Sequence, residues 1–132
     1  MLRGSHVGHD AHVDDQANIS CDVLVGGHCY VGQGANLGLG AVVHQFRAIG
    51  GYSMIGMNST VTKDVDPFST WFGSPAKKHG ANKVGVERAG LSWERISHWM
   101  LHCGPQFSDY TDFLSVDEAR IVMDWVTRRV HK

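Results

Sequence analysis

His9, His28 and His44 lie close to one and two multiples of eighteen residues apart, and Asp10, Gly27 and Gln45 sit beside them. Imidazole is the side chain best matched to general-base work near neutral pH. A neighbouring carboxylate fixes its tautomer and stabilises the imidazolium. A glycine N–H can donate to a developing oxyanion. Base, orienting carboxylate and amide donor together suit proton abstraction from a nucleophile with stabilisation of a developing oxyanion.

Eighteen matters because the chain repeats every six residues. An apolar residue recurs without a gap at Val7, Val13, Ile19, Val25, Val31, Leu37, Val43, Ile49, Ile55 and Val61. Four residues after each comes a mostly small one: Ala11, Ala17, Val23, Cys29, Ala35, Ala41, then Arg47 as the exception, then Ser53, Ser59 and Val65. A hexad period is the signature of a parallel β-helix, each hexad forming one flat side of a prism. Three hexads close a coil, so residues eighteen apart are stacked, about 4.8 Å from one another. The columns are then His9, Gly27, Gln45; Asp10, His28, Phe46; and Gly8, Gly26, His44. They converge near one corner. A His9–Asp10 contact requires that corner, because neighbours on a regular strand point to opposite faces. Gly8, Gly26, Gly32, Gly38, Gly50 and Gly56 fall at corners, where positive φ or close backbone approach favours glycine.

The balance of 12 Lys and Arg against 13 Asp and Glu argues against a dedicated nucleic-acid binder. Cys21, Cys29 and Cys103 form no CxxC pair, so neither a disulfide framework nor a zinc site is indicated. Cys29 takes an inward small-residue position and is expected to be a buried thiol. No apolar run reaches membrane-spanning length and there is no signal peptide, so a reducing cytoplasm is expected. Met1–His6 looks like a cloning tag, but the hexad register already holds at Val7. The repeat starts almost without a cap, as in a short, truncated or partial prism. Ten hexads give little more than three coils. A prism this thin buries little core alone, so oligomerisation is expected.

The expected division is residues 1–76 as the β-helix and 77–132 as a helical extension. Asp66-Pro67 and Ser74-Pro75 should break the repeat, and Lys77, Lys78, Lys83 and Arg88 follow. Ser92 caps a helix through about Cys103, with Ile96, Trp99, Met100 and Cys103 on one face. Ser115 and Glu118 form an S-x-x-E capping box, followed by Ala119, Val122, Met123, Val126 and Val130 at helical spacing. Two helices on the end of the prism are expected. His12, His79, His98, His102 and His131 read as solvated surface groups; His6 lies between these and the corner histidines.

The segments SHVGHDAHV, GGHCYVG, GAVVHQF and GANKVGVERAGLS resemble successive parts of the UDP-N-acetylglucosamine O-acyltransferases of lipid A biosynthesis. The resemblance covers most of residues 2–92, and the order H-x-x-H-D, G-H, H-Q-F, G-x-N-x-x-G is its most specific part. It implies a mainly β fold, a left-handed parallel β-helix with a small C-terminal helical segment, assembled as a homotrimer with clefts between subunits. It implies transfer of a (3-hydroxy)acyl chain from acidic acyl carrier protein to a UDP-N-acetylglucosamine-like sugar nucleotide, with no cofactor. His9 matches the base, Asp10 its orienting partner and Gly27 the oxyanion amide. His6, His28, His44 and Gln45 match cleft-lining positions. Asn82 and Arg88 match contacts to the donor or nucleotide. Met57 matches the acyl-chain ruler. It stands eighteen residues above Leu39, and implies a shorter chain, roughly ten carbons rather than fourteen. The family has further coils before the position of Met1. Pro75 stands where it usually has histidine, Val84 where it has an acidic residue, and the tail is shorter. Two other functions fit the prism. One is a metal-dependent hydratase of the γ-carbonic anhydrase type, with His6, His9 and His12 as a cluster. The other is a non-catalytic trimeric scaffold or acyl-carrier-protein binder.

Overall fold

The computed structural model describes residues 3–102 and 114–130; Cys103 and His131 lie outside them, as do the side chains of His102 and Val130. Ten two-residue strands carry the hexads: β1 His6–Val7, β2 His12–Val13, β3 Asn18–Ile19, β4 Leu24–Val25, β5 Tyr30–Val31, β6 Asn36–Leu37, β7 Val42–Val43, β8 Ala48–Ile49, β9 Met54–Ile55 and β10 Thr60–Val61. The second residue of every strand is the periodic apolar one. The strands stack in parallel into three faces. The first is β1-β4-β7-β10, the second β2-β5-β8, and the third begins β3-β6-β9. His6 faces Leu24, Leu24 faces Val42 and Val42 faces Thr60, so the register is eighteen residues.

The apolar series fills the prism. Val31, Leu37, Ile49, Ile55 and Val61 are fully buried, with Val23, Ala35 and Ala41 closing the corners from inside. Each Val, Leu or Ile so placed contributes about 1.5–3 kcal/mol of hydrophobic stabilisation before entropy. In the first coil Val7, Ala11, Val13 and Ala17 are partly buried and pack against this core. Cys29 is a buried free thiol, as expected, and donates to the His44 carbonyl at 3.0 Å. Burial pushes its pKa up. The inward hydroxyls have partners: Ser53 Oγ donates to Gly50 O, and Ser59 Oγ accepts from Gly73 N.

The corners decide between the two reasons for glycine. A Cβ on Gly26 would stand 2.6 Å from Gln45 N, and one on Gly8 would stand 2.6 Å from Gly27 N. Close approach of the next coil is therefore what excludes a side chain. The left-handed conformation comes two residues later, at Asp10, His28 and Phe46 in one column, with φ of 60°, 60° and 62°.

The repeat is shortened at Asp66-Pro67 but not broken. Ile49 bridges Val65, and β9 pairs in parallel with a new strand, β11 Ser69–Gly73, through Met54 and Thr70. Both pairs are sixteen residues apart, two fewer than a full coil. Asp64 accepts from Ala48 N, and the Asp66 backbone carbonyl accepts from Ser69 Oγ, which holds the shorter turn. Strand β12, Ala76–Ala81, then folds back antiparallel on β11 and completes the third face.

Among the described residues three helices follow rather than two: α1 Lys83–Arg88, α2 Trp93–His102 and α3 Val116–Val130. The unexpected α1 is capped by Asn82, whose Oδ1 accepts from Gly85 N. Ser92 caps α2 and Ser115 caps α3, as expected. Glu118 closes its own capping box through Ser115 N at 3.0 Å, accepts from Ser92 N at 3.1 Å and pairs with Arg95 at 3.1 and 3.2 Å. One buried carboxylate thus joins the starts of two helices. Phe68, Val86, Ile96, Trp99 and Val122 make a second core below them. α3 lies along a side face, not on the end. Trp125 is buried with Tyr30 and Ala48, and its indole donates to the Ala48 carbonyl at 3.1 Å. No described helix is long and apolar enough to cross a membrane.

Candidate functional site

The left-handed turn at Asp10 folds its carboxylate back onto the preceding residue. Asp10 Oδ2 lies 2.7 Å from His9 Nδ1. A carboxylate on Nδ1 leaves Nε2 as the basic atom. His9 is 87% exposed, so that atom is open to solvent. One coil on, the same turn aims His28 Nε2 to 3.8 Å from Asp10 Oδ2. The His28 ring is held flat against Phe46, with centroids 4.7 Å apart and planes within 1°. The His9 and His28 rings are 6.2 Å apart.

Backbone bonds join the columns. His28 N donates to His9 O, and Phe46 N donates to Gly27 O. A Cβ at Gly27 would come within 3.1 Å of His9 O, so this position too favours glycine. Among the described residues nothing accepts the Gly27 N–H, which leaves a donor beside His9. In the third coil His44 Nδ1 donates to the Gln45 carbonyl at 3.1 Å, and both side chains are exposed. His9, Asp10, Gly27, His28, His44 and Gln45 therefore meet at the corner between the first and second faces. His6 stands exposed on β1 of the first face.

Asn82, Arg88 and Met57 sit elsewhere in the chain. Asn82 and Arg88 border a cleft of about 750 Å³ between α1 and the third face, with Gln16, Asn18, Asn36 and Tyr52 opposite. Its polar side chains are bonded to one another and to the backbone: Asn82 Nδ2 donates to Tyr52 O, Tyr52 Oη to Gln16 Oε1, and Asn18 Nδ2 to Asn36 Oδ1. Met57 projects from the corner between the third and first faces and is 69% exposed. Leu39 lies directly below it in the stack, and Leu24 and Val42 continue an exposed apolar strip across the first face. The second face is instead covered by α3.

His12 is not simply solvated. Its Nε2 lies 2.6 Å from Asp14 Oδ1, while Tyr30 Oη donates to Asp14 Oδ2 at 2.5 Å. The His12 and Tyr30 rings are stacked, and Arg128 of α3 lies 5.3 Å over Tyr30. Burial and the Asp14 carboxylate push the Tyr30 hydroxyl far up from its ordinary pKa. His12 and Tyr30 are eighteen apart, so the column spacing carried this contact. His79 is exposed but stacked on Phe72 at 3.6 Å. His6, His9 and His12 do not assemble: among the described residues His9 groups with Asp10 and His28.

No family profile matches the chain. It is 41% identical over 96 residues to the acyl-carrier-protein-dependent UDP-N-acetylglucosamine O-acyltransferase of Alkalilimnicola ehrlichii, a match covering 73% of this chain and 37% of that relative. It is 35% identical over 116 residues to the Burkholderia mallei enzyme of the same name, covering 88% of this chain and 43% of the relative. Its fold is similar to that of LpxA from Acinetobacter baumannii, with a TM-score of 0.77 and 30% identity over 94% of this chain and 53% of that one. The chain thus spans less than half the length of these curated relatives.

Proposed function

Since this chain resembles the C-terminal half of the UDP-N-acetylglucosamine O-acyltransferases, we propose that it carries their acyl-transfer chemistry at the His9 corner. The observation that carries the reading is the 2.7 Å contact of Asp10 with His9 Nδ1, one coil from the open Gly27 N–H. His9 Nε2 removes a proton from the acceptor hydroxyl of a UDP-N-acetylglucosamine-like sugar. The alkoxide attacks the thioester carbonyl of a (3-hydroxy)acyl group held by acyl carrier protein. Gly27 N–H donates to the oxyanion of the tetrahedral intermediate. Collapse breaks the C–S bond, and the imidazolium returns the proton to the departing thiolate. Asp10 keeps the ring in place and stabilises its charge.

His6, His28, His44 and Gln45 line the acceptor side. Met57 and Leu39 wall the acyl chain and favour a short one. Asn82 and Arg88 serve the donor or nucleotide of a neighbouring copy. Their cleft is on the third face, away from their own His9, while α3 covers the second face and leaves the first and third for contact. A heterologous contact of this kind closes as a ring, here a homotrimer. The basic stretch Lys77–Arg88 attracts the acidic carrier protein or the sugar-nucleotide phosphates. The setting is cytoplasmic. Residues 1–76 supply the catalytic prism; beyond them β12 completes its third face and the helices form the extension.

The test is acyl transfer read by mass spectrometry. Wild type and His9→Ala are incubated with carrier proteins bearing acyl chains of different lengths and a panel of UDP-sugars. Product with wild type alone is the expected result. Equal transfer by His9→Ala overturns the mechanism. No transfer to any sugar moves a scaffold or carrier-protein-binding role ahead.

A further inference from the structure

We propose that the His9–Asp10–His28 group is also a binding site for a divalent transition-metal ion such as Zn²⁺, and that occupancy shuts the acyl-transfer site. His9, Asp10 and His28 each offer a ligand atom, all within 4.8 Å of one another. Two imidazoles and one carboxylate are a borderline-soft donor set suited to zinc and its neighbours, not to calcium or magnesium. Three protein ligands with an open side leave a fourth position for water.

Two of the three ligand separations are close to what a tetrahedral ion needs, and the third, between His9 and His28, lies within 4.8 Å. Ligand atoms about 2 Å from zinc lie roughly 3.3 Å apart, and the present separations to Asp10 Oδ2 bracket that, at 2.7 Å from His9 and 3.8 Å from His28. Small side-chain rotations bring the atoms together. Two ligands are already steered: Asp10 and His28 occupy the same left-handed turn one coil apart. Phe46 fixes the plane of the His28 ring. Such outer contacts orient ligands and strengthen metal sites. All three residues are exposed, so an ion reaches them from solvent.

An ion here would take His9 Nδ1 and the Asp10 carboxylate, which leaves the ring proton on Nε2, the atom that the proposed reaction needs as a free base. Inhibition therefore rests on the function proposed above, whereas metal binding does not. The experiment separates the two. Zn²⁺ is titrated calorimetrically into wild type, His28→Gln and His12→Gln, and Co²⁺ is used as a visible-absorption probe of each. One ion per chain is expected for wild type and His12→Gln, with binding weakened at least about tenfold in His28→Gln. No stoichiometric binding by wild type overturns the proposal. So does binding that His28→Gln leaves intact, or that His12→Gln abolishes instead. Where wild type transfers acyl groups, Zn²⁺ should stop transfer and a chelator restore it. Zinc bound at this site with transfer undiminished overturns the inhibitory part.

Discussion

Replacing Glu118 should loosen α2 from α3 far more than removing a surface ion pair would. The side chain is fully buried and accepts from Ser92 N, Ser115 N and Arg95. Arg95 is half exposed and recovers water on losing its partner, so nothing is counted for it. The two backbone N–H groups begin α2 and α3, and leaving each unsatisfied costs about 1–3 kcal/mol. Glu118→Ala should therefore destabilise by roughly 2–6 kcal/mol, a drop in Tm on the order of 10 °C for a domain this size. Glu118→Gln keeps one acceptor oxygen and should fall between. The pH dependence gives a second reading. Burial alone would raise the Glu118 carboxyl, but Arg95 and the Ser115 and Ser92 N–H groups outweigh it and hold the pKa below the ordinary value. Its contribution is complete above the unfolded carboxyl pKa of about 4.3 and is lost as pH falls through the lower folded value. Urea denaturation at neutral and acid pH measures both effects. A loss under about 1 kcal/mol in Glu118→Ala, or an acid dependence unchanged in Glu118→Gln, would refute the reasoning.

Asp10→Asn should lower acyl transfer with little change in folding. Opposite charges about 4 Å apart are worth about 1 kcal/mol in water and about 4 kcal/mol in a partly enclosed cleft, so kcat should fall about fivefold to a thousandfold. An unchanged kcat removes Asp10 from the mechanism. Gly26→Ala should cost about 1–3 kcal/mol because its Cβ would stand 2.6 Å from Gln45 N and 2.8 Å from Gln45 Cα. An unmoved urea midpoint would contradict such close coil stacking. Met57→Gly should shift the preferred acyl donor to longer chains, read by competition between carrier proteins; an unchanged preference would assign Met57 to packing alone.

The prism was legible because its period is rigid. Each series residue from Val7 to Val61 is the second residue of a strand, and eighteen-residue stacking brought the His9, Asp10 and Gly27 columns together. The same stacking held the His12–Tyr30 contact, but Tyr30 is buried by α3, a helix distant in sequence. Helix α1 was hidden in the basic stretch, since six residues containing Gly85 give little periodicity, and its cap Asn82 depends on Tyr52 of the prism. The sixteen-residue turn was hidden by Pro67, which signals a break although Asp64 and Asp66 hold the shorter coil. The Ser115–Glu118 box was readable locally; the bonds from Glu118 to Ser92 and Arg95 were not, because they span more than twenty residues.

The central claim is that the His9 corner of one copy and the Asn82–Arg88 cleft of the next make one acyl-transfer site. Mixing His9→Ala with Arg88→Ala subunits tests it most directly. Each variant alone should be inactive. In randomly mixed trimers about one interface in four joins an intact corner to an intact cleft, so activity should recover to roughly a quarter of wild type. No recovery after subunit exchange has been verified by mass would contradict the claim.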